Sequence, residues 1–274
     1  MSLESFQRAL CDLVASPDLC LAVREDSGAA LAAYTLTARE RERLAAVVWQ
    51  RGMSTNCTLY RSNRITPVYT LLPFTCRALG GQFQPLIEAF WRARVFGDGQ
   101  FLSEVDRFGM FLRRRIAEGG VASPFAGELL AFELARNELA FLPRKAALER
   151  VAALPAPDPA APCALHPLAR AVAFSHDPVA LLDAAAAGAL PPALPERAAL
   201  VVLSVVTGAL TVLQIPEPAR LACRLTAEGG ALWPLASLAP DLARAGLLVA
   251  AAAGGTAPGI CGESMLEFTN FRAP

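Results

Sequence analysis

Histidine is scarce in this chain: His166 and His176 are the only two among 274 residues. A multi-iron centre needs several imidazoles and carboxylates converging on one point, and two histidines ten apart do not supply it. Pro167 follows the first and Asp177-Pro178 the second, so capping or surface roles are expected of both. The seven cysteines (11, 20, 57, 76, 163, 223 and 261) contain no C-x-x-C pair and no zinc-like spacing, and read as reduced and mostly buried. No serine nucleophile elbow occurs. Gly80-Gly81, Gly119-Gly120 and Gly254-Gly255 lack the P-loop and dinucleotide patterns. Neither charge sign is in excess, with 25 basic and 25 acidic residues, so no global field argues for nucleic acid.

Long apolar runs are also few. Ala198 to Ile215 is uncharged and approaches the roughly twenty residues of a membrane helix. Its residue types argue otherwise: Val201, Val202, Val205, Val206, Thr207, Thr211, Val212 and Ile215 are β-branched, and Thr207-Gly208 sits where a tight turn would divide two strands. A buried β-hairpin is expected, and no membrane partner. The start Met1-Ser2-Leu3-Glu4 has early acid and no basic-then-apolar pattern, which leads to the expectation of a cytoplasmic protein.

The length allows one large core or two smaller ones, and two units are expected. Residues 1–153 read as a helical domain. Ser5 to Ala15 carries a 3.6-residue apolar pattern, Ser16-Pro17 interrupts it, and Thr37-Ala38-Arg39-Glu40 forms a capping box for a helix stopping at Gly52. The next helix should start near Ser54, Thr55 or Asn56, with a kink or break at Pro67 or Pro73. Phe83 to Arg94, a segment from Ser103 or Asp106 to Gly119-Gly120, and Pro124 to Phe141 follow as helices. Pro155, Pro157, Pro159 and Pro162 make 154–162 an extended spacer. Beyond it, 163–274 reads as strand (Cys163 to Phe174), helix (Pro178 to Ala187), hairpin (Leu200 to Ile215), helices at 218–227 and 238–245, a strand at 246–249 and a small-residue tail. The expected class is α+β: a helical domain, then a small winged-helix-like module of the leader-peptide-recognition type.

Cationic and aromatic groups concentrate in Leu59-Tyr60-Arg61-Ser62-Asn63-Arg64. Positions 60, 64 and 67/68 share one helical face, while Arg61 and Asn63 point elsewhere, so such a helix both packs and presents donors. Across 51–97, Arg51, Arg61, Arg64, Arg77, Arg92 and Arg94 oppose only Glu88, a patch suited to an acidic partner surface or a solvated face. Glu128, Glu133 and Glu138 recur every five residues, which spreads them around a helix and makes a paired acid-base site a poor reading.

The stretch Thr58 to Phe141, and more loosely Cys163 to Val249, resembles the accessory proteins of multinuclear non-haem iron-dependent oxidases, the MbnC-, TglI- and HvfC-like partners of ribosomally made peptide (RiPP) pathways. Tyr60, Arg61, Asn63 and Arg64 match the family's helix signature, and Glu128, Glu133, Arg136 and Glu138 fall in its later helix. The resemblance implies a non-catalytic subunit of a heterodimer. It would dock on the oxidase through Tyr60, Arg61, Asn63, Arg64 and Arg77. It would also hold the precursor's leader, in the manner of an RRE-like module, through the hairpin residues Val201, Leu203, Val205, Leu210, Val212 and Gln214. No catalytic residue, metal ligand or cofactor is then expected in this chain; iron belongs to the partner, and the modified core residue is a cysteine. The alternative is a winged-helix-type DNA-binding regulator. Residues 200–249 set Arg220, Arg224 and Arg244 against Glu217, Glu228 and Asp241, a neutral balance that phosphate binding disfavours. An enzyme using Cys57 or Cys76 is a third class, against which helical cysteines far in sequence from histidine read as core.

Overall fold

The structure is a computed structural model that describes residues 3–93, 101–153, 163–215, 231–232, 242 and 244–250. In chain order the elements are α1 (Leu3–Ala15), α2 (Pro17–Glu25), α3 (Ser27–Ala30), α4 (Ala38–Val47), α5 (Arg51–Leu71), α6 (Pro73–Leu79), α7 (Phe83–Arg92), α8 (Phe101–Ala117), α9 (Ala126–Phe141), α10 (Arg144–Ala152), β1 (Cys163–Leu165), β2 (Ala169–His176), α11 (Pro178–Ala187), β3 (Glu196–Ser204), β4 (Thr211–Ile215), β5 (Ala231–Leu232) and β6 (Leu248–Ala250). The class is α+β, with two small antiparallel sheets.

Two compact units divide the chain. One comprises residues 1–73 and 81–118, the other 74–80 and 119–274. The expected spacer at 154–162 lies outside the described residues, and the units divide elsewhere because α9 belongs with the sheet: Phe125, Leu129, Phe132 and Leu139 share a core with Val172, Phe174, Val201 and Leu203.

In the first unit, local signals set the early helices. Ser16 Oγ accepts the Leu19 amide at 3.2 Å with Pro17 at the first helical position. Asp26 caps α3. Thr37 and Glu40 exchange the two bonds of a capping box, at 2.8 and 3.2 Å. Helix α4 ends before the expected stop at Gly52. The Arg24 guanidinium donates twice to the Val48 carbonyl, at 2.6 and 3.1 Å, satisfying the helix's C-terminal end there. Gly52 instead lies in the first turn of α5, which starts at Arg51. Of the anticipated caps, Thr55 bonds back to the Arg51 carbonyl and Asn56 Nδ2 reaches the Val14 carbonyl at 2.8 Å. Pro67 sits inside α5 and the break falls at Leu72–Pro73. Phe83, Phe90, Phe108 and Phe111 of α7 and α8 stack or meet edge-on with centroids 5.5–6.3 Å apart, and Tyr69 joins Phe83 at 4.6 Å.

In the second unit the larger sheet has the order β2-β3-β4. Leu203 faces Arg170 on one side and Val212 on the other, and Val201 faces Val172 and Gln214. Alternation sends Val201 and Leu203 toward α9, and Leu200 and Val202 toward a second core with Leu242, Leu247 and Leu248. Strand β3 is therefore buried on both faces, as its unbroken apolar run requires. The hairpin expected at 200–215 is present as β3 and β4, turning at Gly208 with φ 98°, a left-handed conformation that glycine adopts at little cost. Helix α11 matches its expected bounds, capped by Asp177 and ended by left-handed Gly188.

The expected strand 163–174 splits into β1 and β2, in different sheets. Pro167 offers no amide, while His166 accepts the Leu168 amide on Nδ1 at 3.0 Å and the Ala169 amide on its carbonyl at 2.8 Å, closing a turn. The helices expected at 218–227 and 238–245 lie outside the described residues, except for helical Leu242 and Arg244, as does the tail after Ala250. The small second sheet has the order β5-β1-β6.

Glu133 of α9 joins α6 to the sheet's cover. Fully buried, its Oε1 accepts the Phe74 amide at 2.8 Å, and its Oε2 accepts the Thr75 amide and hydroxyl at 2.8 and 2.7 Å. These are the open amides of α6's first turn, capped from another helix. Burial pushes the carboxyl above its ordinary range, against the pull of the three donors and of Arg136. Replacing Glu133 by Ala leaves buried donors without acceptors, and should cost about 3 kcal/mol of stability, read as a lower urea midpoint.

Candidate functional site

The arginine-bearing helix α5 divides its candidate residues between inside and outside. Arg64 Nε donates to Glu104 Oε1 of α8 at 2.6 Å, with side chains only 11% and 5% exposed. The guanidinium also lies over the rings of Tyr60, Phe90 and Trp91 at 5.7, 5.3 and 5.8 Å. Glu104 Oε2 and Trp91 Nε1 are buried without hydrogen-bond partners. Arg64 thus serves the interior of the first unit and is largely withdrawn from the surface expected of it, with half-buried Tyr60 beside it. Arg61 is exposed and pairs with Asp18 of α2 at 3.0 Å, and Asn63 is exposed. The outward side of α5 continues through Leu59, Ser62, Thr66 and Tyr69.

Arg77 belongs to the second unit. Its Nη1 donates to the Ala185 and Ala186 carbonyls at 2.6 and 3.0 Å, binding the open C-terminal end of α11. Arg77 is exposed as well as holding this contact. The later-helix residues scatter as their five-residue spacing implies. Glu128 accepts the Ser175 amide at 3.2 Å and meets His176 Nδ1 at 2.9 Å, and Glu138 pairs with Arg170. Arg136 lies 3.9 Å from Glu133 and over the Phe74 ring.

The hairpin candidates also separate. Val201 and Leu203 are core residues, out of reach of any ligand, and Val205 is half-buried beside them. Leu210 and Val212 are 44% and 54% exposed, and Gln214 is half-buried. Val212 and Gln214 stand on β4, with Leu210 just before it; among the described residues β4 pairs only with β3 and stands at the end of the sheet. Leu210, Val212 and Gln214 mark the accessible part of the expected peptide site.

One residue positions this edge and gave no sequence signal. Arg144, in the first turn of α10, donates from Nη2 to the Val206 carbonyl at 2.9 Å. A Cβ on Gly208 would lie 3.1 Å from its Nη1. The hairpin turn is thus held across 62 residues of sequence.

His176 meets Glu128, and His166 has a role in a turn. Buried His166 uses Nδ1 in its turn, and burial lowers its basicity below the ordinary value. Cys76, pushed up to about 12 by burial and then by Glu133, is not a thiolate at neutral pH. Among the described residues no group of three or more His, Cys, Asp or Glu is placed to hold a metal ion, and no helix is long and apolar enough to cross a membrane. No family model, curated protein or solved structure matches the chain.

Arg64→Ala leaves Glu104 buried without its partner and should cost about 3–5 kcal/mol in urea unfolding, whereas a purely docking arginine would change stability by under about 0.5 kcal/mol. For His166, the unfolded chain binds a proton below pH 6.5 more readily than the folded one. Its contribution to stability is therefore full above that pH and falls as pH drops through it. His166→Asn, whose amide oxygen replaces Nδ1 as acceptor without titrating, should flatten the stability slope between about pH 7 and 5 in thermal melts.

Proposed function

We propose that this chain is the non-catalytic partner of a multinuclear iron-dependent oxidase, and that it captures the leader of a ribosomally made precursor peptide and presents the core, with a cysteine as the modified residue. The observation that carries the peptide half is that β4 is a terminal strand of its sheet among the described residues, with Val212 and Leu210 exposed. An extended peptide adding there gains main-chain hydrogen bonds and two apolar side-chain contacts. In this reading 163–274 contributes the winged-helix-like, leader-recognition part. The oxidase half rests on the sequence resemblance. Its docking surface is the exposed side of α5 at Leu59, Arg61, Asn63 and Thr66, where Arg61 exchanges its exposed pairing with Asp18 for an acidic partner, while half-buried Arg64 is held by Glu104 beside Tyr60. Iron and oxygen chemistry belong to the other chain.

The test is co-expression of the tagged chain with its cognate oxidase and precursor peptide, followed by pull-down, iron analysis of each component and titration with labelled leader. A stoichiometric complex with iron confined to the oxidase is expected. Val212→Lys, which places a charge on the edge without disturbing the core, should weaken leader binding about tenfold while leaving the melting temperature unchanged. Absence of a complex would overturn the oxidase half, and undiminished leader affinity in Val212→Lys would overturn the edge-strand half.

A further inference from the structure

Arg144 carries a charge that no described neighbour neutralises. Its guanidinium donates from Nη2 to the Val206 carbonyl at 2.9 Å and lies against Gly208, where an added Cβ would stand 3.1 Å from Nη1, 3.2 Å from Nη2 and 3.3 Å from Cζ. Both neighbours are uncharged backbone. Among the described residues no carboxylate pairs with Arg144, although Lys145 beside it reaches Glu149, and Arg170 and Arg197 of the same unit pair with Glu138 and Asp177. The hairpin supplies none either, since residues 198–215 contain no acid. Helix α10 does not account for the placement: Arg144 and Lys145 occupy its first turn, where the helix dipole disfavours cations and adds to the positive field. The side chain is exposed yet held at one end, so a further acceptor meets a guanidinium already in place.

The guanidinium approaches the turn from the same side of the sheet as the exposed strip of β4. Val212 pairs with Leu203 and Gln214 with Val201, and directly opposed residues share a face. Leu203 and Val201 lie in the core that α9 covers, and Leu142, which follows α9, packs on that core two residues before Arg144.

We propose that the peptide taken up by β4 carries an acidic side chain that pairs with Arg144, beyond two apolar ones that meet Val212 and Leu210. This pairing rests on the peptide site assigned to β4 above and adds the chemistry of its ligand. Side chains alternate in an extended chain, so every second residue of the peptide lies on the α9 side. From Val212 through Leu210 to Gly208 the strip spans about four residues at roughly 3.3 Å each. The pattern that fits is apolar-x-apolar-x-acid, running toward the turn. An antiparallel peptide presents it in N-to-C order and a parallel one in reverse. The carboxylate accepts charge-assisted hydrogen bonds from the N–H groups that Val206 leaves open.

The experiment selects binders to the full chain from a displayed library of random dodecapeptides and titrates the enriched sequences as labelled synthetic peptides. Enrichment of apolar-x-apolar-x-acid, in either direction, is expected. Replacing the peptide's acid by its amide should weaken binding about tenfold, and Arg144→Gln should do the same, with the two changes together costing no more than either alone. Arg144→Glu should transfer the preference to the same peptide with lysine in place of the acid, a reversal that a loosened turn cannot produce. The peptide-side change reads the contact on the unaltered chain, so the result does not depend on a variant folding. Peptides that lose affinity in Val212→Lys but are indifferent to loss of their acid would overturn the pairing and leave the β4 site in place. Enriched peptides unaffected by Val212→Lys would overturn both. Equal binding of polyglutamate, with no need for apolar residues, would show a general anion site and also overturn the pairing.

Discussion

A carboxylate with no exposed surface closes the N-terminal end of a helix 58 and 59 residues earlier in the chain. Much of the second unit depends on this contact. Glu133 stands on α9, whose apolar residues cover β2 and β3, so fixing α6 to Glu133 also fixes Phe74 and Ala78 against the sheet's core. Desolvating the carboxyl is costly. Two amides, a hydroxyl and the dipole of α6 offset that cost, and they do so only in one geometry. The interaction therefore contributes more to the uniqueness of the packing than to its net stability.

The same sheet shows why one strand is open to a ligand. Strand β3 has neighbours on both edges and cores on both faces, so all of its apolar side chains are consumed. Among the described residues strand β4 shares only one edge, and α9 covers the sheet over β2 and β3. What remains accessible is backbone and a short apolar strip. That combination recognises an extended chain with modest sequence preference, since main-chain bonds are common to all peptides and selectivity is left to alternate side chains. Arg144 adds rigidity at the turn, which limits the ordering entropy that binding must overcome.

Signals confined to a few residues were legible in the sequence. The Thr37–Glu40 capping box, the bounds of α11, the break at Pro73 and the β-branched hairpin each follow from local residue types. Features set by distant partners were not legible. Nothing near Val48 announces that Arg24 will end α4 there, and nothing near Arg77 points to the last carbonyls of α11. Arg64 is the instructive case. Arginine among aromatics on a helix is compatible with an interface, and only the acid supplied by α8, forty residues on, turns it inward. The hairpin's accessible residues were only partly legible for a related reason: periodicity identifies which side chains share a face, not which strand ends the sheet. Val201 and Val212 look equivalent in the sequence, and the strand order separates them.

The position of α6 within the second unit has a consequence for synthesis. Its residues leave the ribosome before α7 and α8, which belong to the other unit, and well before α9 brings Glu133. During that interval the first amides of α6 have only water as acceptor, and its apolar face has no core to meet. The second unit therefore completes this contact only after translation has passed through the interrupting segment, closing a loop of nearly sixty residues.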